Sequence, residues 1–286
     1  MPKNILTVCS MLFLALTLSL SLAGCASEVS AQTISSNAIS NSAELTTAKF
    51  EMSMSMAMEV TGGSDPGKAT MSANAFGSID IINMEMQMTL NGSMNFPGSD
   101  GDISFEEAMY LTGGWLYMEV SVPGEGDYWI KEKLPDYAWT SENPLAQQVE
   151  FLQTAFQVTK LGTEKVDGVD CYIIQVTPDM GALSKWVMSQ QRSTDLDMGN
   201  IDLSKVFKSF SIKEWIARDE YLPVKAEINV SLEMRPEDMG ETAESADMDK
   251  LTMNMSEQIK YYDYGKPVTI QLPPEAQNGE ELPFSY

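Results

Sequence analysis

The sequence predicts a mostly β fold of the α+β kind, an antiparallel sheet of about ten strands with two or three helices. Three observations predict it. Long stretches alternate apolar and polar residues with a period of two, which is the pattern of a strand with one buried face. Short turns such as Asp167-Gly168 and Thr112-Gly113-Gly114 separate several of these stretches, and they are too short for the crossover that parallel neighbours need. Apolar residues at helical spacing occur in only two or three places.

The chain opens on something other than a strand. Lys3 is followed by an uncharged, leucine-rich run from Ile5 to Leu22 that ends at Leu22-Ala23-Gly24-Cys25. A positive start, an apolar run and small residues at the cut predict an export signal over residues 1–24. The run approaches the roughly 20 residues of a membrane span, so an uncleaved anchor is the competing reading. Leu22-Ala23-Gly24-Cys25 also resembles the lipobox of bacterial lipoproteins. That resemblance implies a diacylglyceryl group on the Cys25 thiol and cleavage just before it. Residues 25–46 are rich in Ser, Asn, Ala and Thr, which predicts a flexible tether behind the lipidated cysteine. Residues 47–286 are then one globular domain.

The first strand is the clearest. Phe50, Met52, Met54, Met56, Met58 and Val60 share one face, and Glu51, Ser53, Ser55, Ala57 and Glu59 the other. After the turn at 62–67, Ile82, Met84, Met86, Met88 and Leu90 alternate with Asn83, Glu85, Gln87 and Thr89. Residues 108–111 and 115–120 predict a hairpin around Gly113-Gly114, followed by a short strand over 128–133. Residues 162–166 and 169–177 flank Asp167-Gly168, the strongest hairpin signal in the chain. Residues 209–218 and 224–234 predict the next pair, 251–262 another strand, and 268–272 a short last one.

Two segments break the alternation. Asn143-Pro144 predicts a helix start, with Pro where its missing N–H costs nothing, and Leu145, Val149, Leu152 and Phe156 form its stripe. Residues 179–191 predict a second helix carrying Leu183, Trp186 and Val187, and 201–207 a third short turn.

Composition excludes several functions. The 286 residues hold 41 acids against 18 bases, a formal charge of −23. Nucleic acids and anionic lipid surfaces favour basic patches, so neither is an expected partner, and membrane attachment falls to the acyl chains on Cys25. There is no histidine, which removes Ser-His-acid and Cys-His catalysis and every His-containing metal site. With no nucleophile elbow, Walker loop or Cys-x-x-Cys, no enzyme and no cofactor is expected. Asp195-Leu196-Asp197-Met198-Gly199 starts like a calcium loop, but its twelfth position is Val206. The acidic stretch 236–249 reads as a solvated loop. Once Cys25 is lipidated and Cys9 is lost with the signal, Cys171 stands alone in an apolar strand, as a buried and inert thiol.

Gly168-Val169-Asp170-Cys171-Tyr172, the hairpin around Trp215 and Leu222-Pro223-Val224, and the ending Tyr261-Tyr262-Asp263-Tyr264-Gly265-Lys266-Pro267-Val268 resemble the LolA/LolB-like carriers and the LppX/LprG-type lipoproteins. The resemblance implies a strongly curved half-barrel sheet whose helices close the concave side over an apolar cavity for acyl chains. The export signal and the lipobox-like Leu22-Ala23-Gly24-Cys25 lead us to expect the molecule outside the cytoplasm, lipid-anchored to the cell membrane or the outer membrane. The chain has 21 methionines, many at strand positions where Val and Ile are better sheet formers. Methionine is flexible and polarizable and suits a surface that accepts varied shapes, although it also fills packed cores. Met52, Met54, Met56, Met58, Met84, Met86 and Met88 are therefore the candidate cavity residues. Two functions stand side by side: an envelope lipoprotein that binds a lipid or other hydrophobic molecule for transport or sensing, and an envelope regulatory or structural protein that uses the fold to bind a protein partner.

Cys25→Ser is expected to abolish lipidation. Labelling cells with a fatty-acid analogue should tag the wild type only, and equal tagging of the variant would exclude Cys25 as the attachment point.

Overall fold

The computed structural model describes residues 28–63, 66–99, 101–122, 126–134, 139, 143–153, 155–179, 181, 203–239 and 248–281. The chain begins its regular structure with helix α1 (Ala31–Ser42). Strands β1 (Thr47–Thr61), β2 (Gly67–Asp80), β3 (Glu85–Asn95), β4 (Ile103–Thr112), β5 (Trp115–Val122) and β6 (Gly126–Lys133) follow. Helix α2 (Pro144–Gln153) leads to β7 (Ala155–Val166) and β8 (Val169–Pro178). Beyond them come α3 (Leu203–Val206), β9 (Phe207–Ala217), β10 (Pro223–Met234), β11 (Lys250–Tyr262), α4 (Pro274–Gln277) and β12 (Glu280–Glu281).

All twelve strands form one curved, unclosed sheet in the order β12-β6-β5-β4-β3-β2-β1-β11-β10-β9-β8-β7. The count exceeds the expected ten or so. The difference lies chiefly in β2, whose apolar face is built from Ala69, Met71, Ala73, Ala75, Gly77 and Ile79. Alanine and glycine are weak strand formers, so the alternation there is faint in the sequence. The sheet consists of two antiparallel meanders, β1 to β6 and β7 to β11, joined by β1 against β11. Only the two-residue β12 runs parallel to its neighbour, β6.

Turn chemistry sets the register of the hairpins. Asp167 and Gly168 between β7 and β8 both take positive φ, 47° and 92°, as do Gly113 and Gly114 between β4 and β5, 60° and 78°. Those values belong to the tight turns whose twist matches paired strands. Helix α2 is capped as the sequence predicts: the Asn143 side-chain oxygen accepts from the Leu145 N–H at 3.0 Å and the Ala146 N–H at 3.3 Å.

Three sequence expectations are corrected. Residues 31–42 are helical rather than part of a flexible tether, because Ala31, Ile34, Ser35, Ala38 and Ser42 recur at helical spacing and are buried. The stripe escapes notice because its residues are small. Strand β3 begins at Glu85, not Ile82; residues 81–84 form a turn in which Met84 has φ 54°. Residues 268–272 are not a strand, and Pro267, Pro273 and Pro274 around them supply no N–H for a ladder. The signal expected over 1–24, Cys25 and almost all of the helix expected over 179–191 lie outside the described residues.

The main core covers the early end of β1. Ala48 and Phe50 pack with Ile79, Met86, Leu111, Leu116, Ile259 and Tyr261 from the sheet and with Leu145 from α2. Helix α2 lies on the connection that carries the chain from β6, next to the edge strand β12, to the opposite edge, β7. The match of large to small residues is close: Phe50 stands opposite Gly77, where an added Cβ would lie 2.3 Å from the Phe50 ring and 2.7 Å from the Gln87 carbonyl oxygen. Gly77→Ala is expected to destabilise the fold by about 1–3 kcal/mol through overpacking. Thermal or denaturant unfolding measures it, and an unchanged midpoint would mean that Phe50 moves aside freely.

Candidate functional site

Antiparallel register fixes which residues share a face, since directly paired residues point the same way. Across β1, the pairs Met52–Ala75, Met54–Ala73, Met56–Met71 and Met58–Ala69 join β2, and Met56–Met255, Met58–Met253 and Val60–Leu251 join β11. Met71 continues to Met94 on β3, and Met255 to Val230 on β10. One apolar row thus runs Met94, Met71, Met56, Met255, Val230, Phe210 across six strands. A parallel row holds Ala69, Met58, Met253 and Leu232.

This face has two halves. Toward the start of β1, Ala48, Phe50, Ile79, Met86, Leu111 and Ile259 are buried. Toward its end, Met54, Met56, Met58, Met71, Met94, Met253 and Met255 are only half-buried. The methionines concentrate where the face is less covered. Of the residues singled out from the sequence, Met52, Met54, Met56 and Met58 lie in line on β1, while Met86, fully buried, and Met88 share that face on β3. Met84 does not join them: it sits in the turn before β3, 57 % exposed. Leu22, Ala23, Gly24 and Cys25 lie outside the described residues.

The sequence reading missed Met71, Met94, Met253 and Met255 as members of this surface, because only the register brings them beside Met56 and Met58. It also missed the acidic and phenolic groups on the same face. Glu257 pairs with Met54 and Ile228, and Glu214 with Ala226 and Ile174. The signal for Glu257 was present: the alternation Leu251, Met253, Met255, Glu257, Ile259, Tyr261 carries one charged residue at an apolar position.

Burial dominates the electrostatics. Desolvation raises the Glu257 carboxyl above the ordinary carboxylate range. It also pushes the Tyr261 hydroxyl well up, with further pressure from Tyr264, Glu257 and Glu214. Tyr264 is raised in the same way, by desolvation and then by Glu214 and Glu220, and its hydroxyl donates to the Pro223 carbonyl oxygen. The Tyr261 hydroxyl has no hydrogen-bond partner among the described residues.

The opposite face is polar. Ser104, Ser93, Ser72, Ser55, Ser256, Asn229 and Ser211 stand in one row across seven strands. Open depressions of about 640 and 630 Å³ are lined by such serines and asparagines, together with Phe105 in the first and with Met56, Met71, Val230 and Met255 in the second. A small second core sits at the β7–β8 end, where Cys171, Val166 and Trp215 are buried with Ile173 and Val224 against them. The Trp215 indole N–H donates to Glu164 at 2.7 Å, and the Lys225 ammonium lies 4.2 Å from its ring. Burial pushes the Cys171 thiol up to about 11, which leaves it protonated and unreactive at neutral pH. Several residues that carry the family resemblance, Cys171, Trp215 and Val224, therefore meet in one packing cluster.

A family model described as a family of unknown function, DUF6612, matches residues 30–281. No curated protein matches the chain. Among solved structures it is similar to the lipoprotein LppX of Mycobacterium tuberculosis, at 14% identity over 84% of this chain and 98% of that one, with a TM-score of 0.41. It is similar to LprF from Mycobacterium bovis at 13% identity over 85% and 96%, TM-score 0.45. A LolA-superfamily protein from Nitrosomonas europaea is matched at 14% identity over 85% and 96%, TM-score 0.22. These are likenesses in the course of the chain alone.

Because burial raises its folded-state pKa, Glu257 favours the folded state when protonated. Its contribution is present below the ordinary carboxylate range and lost as pH rises through the raised folded value. The stability difference between wild type and Glu257→Gln should therefore shift in favour of the variant as pH rises from about 4. Denaturant melts across pH measure it, and a difference that moves the other way would mean that the carboxylate is stabilised in the fold.

Proposed function

We propose that this chain, which belongs to the DUF6612 family, is a lipid-anchored extracytoplasmic protein that holds an acyl chain or other hydrophobic molecule against its methionine face, for transport or sensing at the cell envelope. The observation that carries the reading is the half-covered apolar surface built by Met54, Met56, Met58, Met71, Met94, Met253 and Met255. Removing apolar surface from water is worth about 25 cal/mol per Å², so a chain laid along these side chains gains stability from both partners. Unbranched thioether side chains adapt to ligands of different outline at little cost in strain. Branched side chains would give a stiffer, more selective sheet surface.

The anchor in this reading is the lipid on Cys25, which rests on the Leu22-Ala23-Gly24-Cys25 sequence. No helix among the described residues is long and apolar enough to cross a membrane. Nothing in the site calls for chemistry. The carboxylates on the apolar face lie among methionines and tyrosines, with no histidine in the chain to act beside them.

Binding of a fluorescent acyl probe with an uncharged head tests the proposal. The wild type should bind it. Met56→Glu should weaken binding by at least about tenfold, because the new carboxylate must be desolvated against the chain, while the half-buried position lets the protein stay folded. Unfolding of Met56→Glu would show packed core at that position. A wild type that binds no acyl probe, and that shows no co-purified lipid by native mass spectrometry, would overturn the reading in favour of a protein partner.

A further inference from the structure

The apolar face carries a polar node at the boundary between its two halves. Glu257 and Tyr261 lie two residues either side of Ile259 on β11, and the same face continues through Ala226 of β10 to Glu214 of β9. Strand geometry places Glu257 and Tyr261 about 7 Å each from Ile259 along the strand, and Glu214 about 10 Å across it. Ala226 leaves a dip between the two carboxylates. Glu214 is fully buried, Tyr261 is 3 % exposed, and Glu257 is half-buried at the inner edge of the methionine surface. Among the described residues the Tyr261 hydroxyl meets no hydrogen-bond partner. A buried polar group without a partner costs free energy, and such groups in native proteins are met by water or by a ligand.

We infer that the molecule held on the methionine face is a cationic amphiphile, a long-chain ammonium compound, whose head group sits between Glu257 and Tyr261 while its tail lies over Met255, Met56 and Met253. The inference rests on the reading of that face as the ligand site. An ammonium head donates hydrogen bonds to the Glu257 carboxylate and the Tyr261 oxygen, and its charge offsets negative charge that the apolar surroundings otherwise disfavour. A carboxylate or phosphate head meets repulsion from the Glu257 carboxylate. The strand neighbours of Glu257 along its row are Met54 and Ile228, neither of them cationic. The distance from Glu257 to Leu251 along β11, about 20 Å, gives the tail a continuous apolar floor.

The test compares three ligands of one chain length that differ only in the head: an alkylammonium, an alcohol and a carboxylate. Calorimetric titration of the full chain should give an ammonium affinity at least about tenfold above that of the alcohol, with the carboxylate weakest. Glu257→Gln should remove that preference and leave alcohol binding unchanged, and Tyr261→Phe should reduce it. Glu106→Gln, an exposed change on the polar face of β4, should leave it intact. Equal affinities for the three heads overturn the inference while the hydrophobic site survives. An equal loss of preference in Glu106→Gln also overturns it, by tracing the effect to the net charge of −23. No binding of any of the three overturns the ligand-site reading itself.

Discussion

The register of β1 is the constraint on which the rest of the molecule depends. Thirteen residues of β1, Lys49 to Thr61, pair in unbroken succession with β11, and fourteen, Thr47 to Val60, pair with β2. A one-residue slip would turn Phe50 and the methionines to the solvent side and bring Glu51, Ser53 and Glu59 inward. Both meanders hang from this strand, so its register decides which side chains of β3, β4, β9 and β10 share the apolar face. The pairing joins segments about two hundred residues apart, and sequence-local turns cannot enforce it. Burial of Ala48 and Phe50 at one end does, since both are fully enclosed: a one-residue slip would place Lys49 and Glu51, or Thr47 and Lys49, there, and a two-residue slip would break the match of Phe50 to Gly77.

The same register distributes volume. Methionine and phenylalanine of β1 face alanine and glycine of β2, so large side chains on one strand occupy the space left by small ones on the next. Where α2 adds Leu145 to this arrangement the surface closes into a core. Where the rows continue through Met54, Met56 and Met58 the side chains stay half-buried. Glu257 stands at that change, and its acid form is favoured there because the packed half withholds solvent. Core and candidate site are thus two ends of one surface, and the polar node marks where one gives way to the other.

Much of this was legible in the sequence. The alternation of Phe50 to Val60 and of Val224 to Met234, the Asp167-Gly168 turn and the Asn143 cap depend on local chemistry, and the structure contains each of them. Strand β2 and helix α1 were hidden because their buried residues are Ala, Gly and Ser, which carry little hydrophobic signal although they pack against large neighbours. Met84 was misplaced because Ile82 and Met84 continue the period of Met86 and Met88 across a turn that no Gly or Pro announces. The assembly of Met71, Met94, Met253 and Met255 around Met56 required knowing that β1 lies between β2 and β11. Order of strands is a long-range property that periodicity within one segment does not contain.

The most direct test follows the methionine methyl signals of the protein by NMR as a long-chain amphiphile is added. An apolar ligand site on the half-covered end of this face predicts shifts for Met56, Met58, Met253 and Met255 and little change for the enclosed Met86. Shifts confined to the exposed Met84, or none at saturating ligand, would contradict the claim that this surface receives a hydrophobic molecule.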